Sequence, residues 1–240
     1  MLNDSLLVLI LAVLSDIHAN LPALRAAMRI AEARGADELV NLGDVLGYGP
    51  SPVECLELVR AEFAVSVLGN HDAAVIGSDG AALPRDGQVA AAFHRSLLDA
   101  DQLAWLAGLP LVATRHGATF VHAAPFQPER WPRLESFRDT QLQFDAFDTP
   151  ICFVGHSHRQ AIVSDTIGVF RVRHGHRYLV NVGSVGQPRD RDPRLGLALF
   201  DTEAFAVELI RDHYDHAQTV AEITRVGLPR ALGDRIRAGT

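Results

Sequence analysis

The sequence has no lysine: all 22 basic residues among its 240 positions are arginine. Without that side-chain amine, no Schiff-base aldolase, pyridoxal-phosphate enzyme or Walker A nucleotide site can be built. Cysteine is nearly absent as well. Cys55 and Cys152 are too few for a disulfide framework or a zinc ribbon. Both read as small core hydrophobes, and a reducing cytoplasm fits. Positive charge is in deficit, with a formal net charge of −7, which argues against stable nucleic-acid binding. The apolar run Leu6–Leu14 is too short to cross a bilayer as a helix. Asp4 rather than a basic residue precedes it and no small-residue cleavage site follows, so it reads as a buried strand rather than a leader or a membrane anchor.

The first third of the chain alternates strand and helix. After the strand ending at Ser15, Pro22 opens a helix through Arg34, with Gly35 as its stop. Leu39–Leu42 is a short buried strand. Ser51-Pro-Val-Glu54 has capping-box spacing and starts a helix to about Glu62, and Phe63–Leu68 is a third strand. Such alternation predicts parallel strands joined by crossover helices. Two helices are expected between Asp86 and Leu106. Beyond Pro110 short strands follow, at 111–114, 119–122, 151–154, 161–164, 168–172, 178–182, 197–200 and 206–211, and two helices close the chain at about His216–Val226 and Arg230–Ala238. No repeat or linker divides residues 1–240, which read as one α/β domain of two sheets packed together with helices outside.

Five apolar runs each end in residues able to hold a metal: Asp16 and His18, Asp44, Asn70 with His71, His122, and His156 with His158. In open α/β sheets ligands collect beyond the carboxyl ends of strands. Residues i and i+2 of an extended segment point to one side, so Asp16 can approach one ion with His18, and His156 with His158. The set is imidazole, carboxylate and amide without thiolate, which suits Mn²⁺, Fe²⁺, Co²⁺, Ni²⁺ or Zn²⁺ with open positions. Seven candidate ligands are too many for one tetrahedral ion. Two ions sharing a carboxylate, roughly 3.5–4 Å apart, could clamp a phosphoryl group and make the site locally positive in an acidic protein.

In that order, Asp16-x-His18, Gly43-Asp44, Gly69-Asn-His-Asp72, His122 and Gly155-His-x-His158 resemble the motifs of the calcineurin-like metallophosphoesterases. Asn181–Asp190 and Gly43–Pro50 resemble more narrowly the small bacterial phosphodiesterases of the YfcE type. The resemblance runs from about Val8 to Phe200. It implies a four-layer αββα sandwich with two mixed β-sheets face to face and helices outside. It also implies two divalent transition-metal ions, manganese first among the candidates. Asp16, His18 and His158 would hold one, Asn70, His122 and His156 the other, and Asp44 would bridge them. His71 would contact the scissile phosphate and help protonate the leaving oxygen. The activity implied is hydrolysis of a small phosphate ester, a diester before a monoester, in the cytoplasm, with no membrane partner and homo-oligomerisation left open.

One departure bears on substrate. The Ser/Thr phosphatases of this superfamily continue the second motif with Asp-Arg-Gly, whereas here Gly43-Asp44 runs into Val-Leu-Gly-Tyr. The carboxylate that orients the catalytic histidine in those enzymes has no match, which disfavours a protein phosphatase. The other class of function open to this fold is a catalytically silent protein-binding scaffold, and the presence of His71 favours the enzyme. Tyr48 and Arg189 are candidate phosphate contacts. Residues 123–150 carry Phe126, Trp131, Phe137, Phe144 and Phe147 between arginines, and are expected either to reach over the site as a partial lid or to pack on a sheet edge. His94, His116, His213 and His216 match no motif and are expected at the surface or on helix flanks.

Overall fold

The computed structural model describes residues 9–77, 83–168 and 171–240. The elements in chain order are β1 (Ile10–Leu14), α1 (Leu21–Ala33), β2 (Glu38–Asn41), α2 (Pro52–Glu62), β3 (Phe63–Ser66), α3 (Asn70–Ile76), α4 (Arg85–Leu97) and α5 (Ala100–Ala107). They are followed by β4 (Val112–Arg115), β5 (Ala118–Val121), α6 (Phe137–Gln141), β6 (Ile151–Val154), β7 (Ala161–Ser164), β8 (Tyr178–Asn181), β9 (Leu195–Asp201), β10 (Ala206–Asp212), α7 (His216–Arg225) and α8 (Arg230–Ala238). Two short 3-10 turns, Pro128–Arg130 and Phe144–Ala146, flank α6.

The strands form two five-stranded mixed sheets, ordered β10-β9-β1-β2-β3 and β4-β5-β6-β8-β7. The parallel sets β1-β2-β3 and β5-β6-β8 are flanked by antiparallel strands. Alternation along β1 shows how the layers are built. Leu11 and Val13 face the second sheet, while Ala12 and Leu14 face the helices, and all four are fully buried. A strand apolar on both faces is the mark of a central parallel strand. Between the sheets Phe120, Phe153 and Phe200 lie within 5.7 Å of one another along the chain of ring contacts.

The expected architecture is what the strands and helices form, with an uneven distribution of the outer layers. Helices α1 and α2 cover the first sheet, and α7 packs on α1 with α8 against α7. Among the described residues, the outer face of the second sheet is covered by Leu134, Phe144 and Phe147 on Val121, Cys152, Val154 and Leu179, and Gln141 of α6 donates to the Ser164 carbonyl of β7.

Three local readings change. The strand expected at 168–172 is not formed by the described residues of that stretch. Gly168 turns with φ +85°, and the Tyr178 hydroxyl, not a neighbouring strand, meets the Arg173 N–H and the Arg171 carbonyl; residues 169–170 lie outside the described residues, as do 6–8 of the first expected strand. Ser51 is the N-cap of α2 but its side chain makes no capping bond. Helix α3, begun by the site residues Asn70 and His71, is a further element. No helix among the described residues is long and apolar enough to cross a membrane.

The ring stack between the sheets carries a stability prediction. Phe153→Ala removes a fully buried side chain and should lower unfolding free energy by about 3–5 kcal/mol, read by urea denaturation with an unchanged m-value.

Candidate metal centre

All the candidate ligands stand just beyond the carboxyl ends of parallel strands, in the loops that leave them or, for Asn70 and His71, at the start of α3. Asp16 and His18 follow β1, Asp44 follows β2, Asn70 and His71 follow β3, His122 follows β5, and His156 and His158 follow β6. The turns are tight. Asp16, His18, Asp44, Tyr48, His156 and His158 all adopt left-handed backbone, with φ between 50° and 61°. Such a conformation costs a non-glycine residue about 1–2 kcal/mol, so strain is concentrated around the site. Gly155 permits the closest approach: a Cβ there would overlap Ser15 Oγ and stand 2.6 Å from Asp16 Oδ2.

The structure brings all eight candidate residues together, and all are buried. In one set, Asp16 Oδ1 lies 3.1 Å from His158 Nε2 and 3.8 Å from His18 Nε2, and the two Nε2 atoms are 3.2 Å apart. In the second set, His122 Nε2 lies 3.1 Å from Asn70 Oδ1, 3.2 Å from His156 Nδ1 and 3.4 Å from Asp44 Oδ2. Asp44 Oδ2 also stands 3.8 Å from His18 Nε2, so it belongs to both sets. His18, Asp44 and His71 form a third grouping of donor atoms close enough to share an ion.

Hydrogen bonds around the cluster decide what those atoms can accept. The Nδ1–H groups of His18, His122 and His158 donate to the carbonyls of Leu46, Leu42 and Gln187. A carbonyl can only accept, so each neutral imidazole presents an Nε2 lone pair inward. The carboxylates divide their oxygens in the same manner. Asp16 Oδ2 accepts from the His156 backbone N–H and Asp44 Oδ1 from that of His71, leaving Asp16 Oδ1 and Asp44 Oδ2 toward the centre. Asp16 Oδ1 is buried without a hydrogen-bond donor. Lone pairs facing one another at about 3 Å repel unless a proton or cation lies among them, and this donor set fits divalent metal ions.

The ionisation of the cluster agrees. Burial works against charging Asp16 and Asp44, yet their histidine neighbours, His158 and His122 respectively, hold both below the usual carboxylate range. Burial likewise opposes protonation of His122, but Asp44 and Asp16 raise it to about 9. His156 falls to about 3 by burial and the charge of His122, and His71 to about 4 by burial. A cation between these atoms would take the place of the His122 proton.

His71 stands beside the cluster with its ring 4.4 Å from Tyr48 and 4.9 Å from His18, and its buried Nδ1 has no hydrogen-bond partner. That unpartnered nitrogen matches the missing orienting carboxylate. A cleft of about 580 Å³ opens over Asp44, Asn70, His71, His156 and His158, walled by Tyr48, Arg130, Trp131, Arg133 and Arg189. The aromatic stretch 123–150 therefore divides. Trp131, 5.9 Å from the His122 ring, reaches the cleft; Phe144 and Phe147 pack on the outer sheet face; Phe126 and Phe137 are exposed.

Several residues have supporting roles that the sequence does not assign, although Asp72 and Ser184 lie inside the motif stretches. Asp72 accepts from the N–H groups of Val45, Leu46 and Gly69, tying the loop after β2 to the start of α3; burial and Asp44 push its carboxyl up to about 7. Ser184 Oγ donates to the Asp16 carbonyl and accepts from Gln187 N–H. The expectation for His94 is corrected. It is fully buried in α4, with Nδ1 accepting from Gly47 N–H and Nε2 donating to the Gly49 carbonyl. Those contacts pin the turn that holds Tyr48 against His71. No spacing rule could show this, because the loop that needs the imidazole lies 45 or more residues away in sequence.

Two mixed sheets with imidazole and carboxylate groups converging from parallel strand ends define an α/β protein with a candidate divalent-metal centre. The chain belongs to the calcineurin-like phosphoesterase superfamily, whose domain model matches residues 9–204. It is 34% identical over 241 aligned positions to an uncharacterized protein of Methanocaldococcus jannaschii, covering 95% of this chain and 98% of that one. The crystal structure of a metallophosphoesterase from Sphaerobacter thermophilus superposes with a TM-score of 0.86 at 38% identity, covering 97% of this chain and all of that one. A shorter match of 97 residues, 37% of this chain and 34% of the other, is 36% identical to the symmetrical bis(5'-nucleosyl)-tetraphosphatase of Aromatoleum aromaticum.

His94→Ala leaves the Gly47 N–H and Gly49 carbonyl unpaired. It should lower stability by about 1–3 kcal/mol in thermal or urea unfolding, with His94→Gln recovering part of the loss.

Proposed function

We propose that this protein is a dinuclear metal-dependent phosphoesterase, one domain over residues 1–240, that hydrolyses phosphodiesters. The observation that carries the reading is the inward-facing acceptor cluster, split into two sets that share Asp44 Oδ2. Asp16, His18 and His158 would hold one ion, Asn70, His122 and His156 the second, and Asp44 both. Manganese, nickel, iron, cobalt or zinc in the divalent state suits these oxygen and nitrogen donors. Bound there, the pair supplies Lewis acidity toward a phosphoryl group and lowers the pKa of the attacking water.

The chain's own groups complete the reaction. The water oxygen gives up a proton to solvent and bonds to phosphorus as the bond to the leaving alcohol oxygen breaks, and that oxygen takes up a proton from the protein, which solvent then restores. His71, at the floor of the cleft, is placed to supply it. Burial lowers its pKa to about 4, and an anionic phosphate arriving beside it stabilises the protonated form. Arg189 lies over the Tyr48 ring, 5.5 Å from its centroid, where its guanidinium can pair with a non-bridging phosphate oxygen. Trp131 at the cleft wall offers a face for a base or aryl group, in the manner of a partial lid. The tetraphosphatase relative acts, by its name, on a bis(5'-nucleosyl) tetraphosphate, which agrees with a substrate that carries a nucleoside.

Metal analysis after reloading with Mn²⁺ should find two ions per chain in the wild type. Asp44→Ala should lose most of both, and one ion per chain at saturation would overturn the dinuclear reading. His71→Ala should keep both ions while losing about 10²–10⁴-fold in kcat. The loss should shrink for a nitrophenyl ester, whose leaving group needs less protonation; loss of metal in this variant would make His71 a ligand instead. Trp131→Ala should raise KM for a nucleotide diester by roughly 5–150-fold and spare a small methyl ester, whereas equal effects on both would mark Trp131 as packing.

A further inference from the structure

The outer face of the second sheet is only partly covered. Phe144 and Phe147 pack over the β5–β6 side, on Val121 and Cys152. On the β7 side a groove of about 1130 Å³ remains, floored by Val154, Ala161, Val163 and Leu179 and walled by Leu134. These floor residues share one face of the sheet because they alternate with Phe153, Tyr178 and Val180 of the inter-sheet core.

The groove adjoins the metal cleft. Arg133 and Arg189 line both, and stand at the partition between them. Ser157 shows the same adjacency within three residues of chain, since His156 and His158 line the cleft whereas Ser157 lines the groove. The groove begins at Val154, two residues before His156. Its lining is cationic, with Arg133, Arg159 and Arg189 against the single carboxylate of Glu135. Arg159 is anchored by Nε donating to the Arg189 carbonyl, which ties the position of the third arginine to the second.

We infer that this groove is a second substrate subsite, which takes the far arm of a phosphate ester bearing at least one further phosphate and a nucleoside-type group. The inference rests on the phosphoesterase reading and adds the substrate class to it. The scissile phosphate occupies the metal cleft, the next phosphate meets Arg133 and Arg189 at the partition, and the organic arm lies on the aliphatic floor. Arginine suits this place because its planar fork pairs with phosphate oxygens in two bonds. An apolar floor with a few polar edges, here Ser157, Asn181 and Thr140, is the ordinary construction of a subsite for an organic group rather than a bare ion.

The test compares two esters on the wild-type protein and on two variants outside the metal cleft, Arg159→Ala and Val163→Trp, with Mn²⁺ supplied. Methyl 4-nitrophenyl phosphate has only the scissile phosphate; diadenosine tetraphosphate has further phosphates and a nucleoside arm, and its tetraphosphate is cut at a P–O–P bond, the water oxygen bonding to one phosphorus as a nucleotide phosphate leaves from it. Both variants should raise KM for diadenosine tetraphosphate by roughly tenfold to a hundredfold and leave kcat/KM for the methyl ester within about twofold. Calorimetric binding of diadenosine tetraphosphate to chelator-treated protein should weaken by a similar factor. If Val163→Trp fails to fold in a thermal scan, Arg159→Ala, a change at an exposed side chain, carries the comparison. Equal effects on both esters, or none on either, would overturn the subsite. A wild type inactive on both esters would sink the phosphoesterase reading instead, and the chelated binding measurement would then decide the groove by itself.

Discussion

Three backbone carbonyls, those of Leu42, Leu46 and Gln187, take the Nδ1–H groups of His122, His18 and His158. The backbone N–H groups of His156 and His71 each take one carboxylate oxygen, of Asp16 and of Asp44. This cross-bracing turns the Nε2 atoms of His18, His122 and His158 and one oxygen each of Asp16 and Asp44 toward one small volume. Much of the rest of the molecule follows from that requirement. The strand-end loops must turn abruptly, and they do so through left-handed residues whose strain is held by the sheets behind them. Burial of two carboxylates is tolerable because each has an imidazole against it and a backbone donor behind it.

The bracing also explains why the loops between motifs carry so many polar residues of their own. Asp72 joins the loop after β2 to α3, and Ser184 joins the loop after β8 to the turn at Asp16. Asn181 donates to the Gly155 carbonyl and to Ser157 Oγ, holding the segment that bears His156 and His158. These residues touch no inward-facing atom, yet each sets the position of one. His94 does the same for Tyr48, and through Tyr48 for the ring of His71. Gly47 is part of that arrangement: with φ +93° and the His71 ring against its α-carbon, a side chain there would overlap His71 Nδ1.

The asymmetry of the outer layers bears on substrate access. On the first sheet the helices form a continuous apolar cover, with Leu24, Leu56 and Val59 fully buried beneath it. On the second sheet, among the described residues, Phe144 and Phe147 cover the β5–β6 side and a groove remains on the β7 side, with Arg133 and Arg189 lining both that groove and the cleft. In a chain of net charge −7, three arginines, Arg130, Arg133 and Arg189, thus line the cleft over the candidate ligands.

Much of this was legible in the residues themselves. Apolar runs ending in Asp-x-His, Gly-Asp, Gly-Asn-His and Gly-His-x-His located the candidate ligands, because extended strands and glycine turns are local events that a few neighbouring residues decide. Helices α1, α2, α4, α5, α7 and α8 were visible for the same reason, through caps, breakers and apolar periodicity. The described residues of the stretch 168–172 form no strand, and the Tyr178 hydroxyl meets the Arg171 carbonyl and the Arg173 N–H, a pairing that no local pattern reveals. From sequence His94 is expected at the surface or on a helix flank, because the loop that it braces lies more than forty positions away. Residue types and their local spacing thus determined which side chains could meet and at which ends of the strands. The register of two sheets decided how they meet: which carboxylate oxygen is left free, which imidazole nitrogen turns inward, and which half of an outer face stays bare. These are contacts between segments remote in sequence, and only the folded chain brings their backbone donors and acceptors within reach.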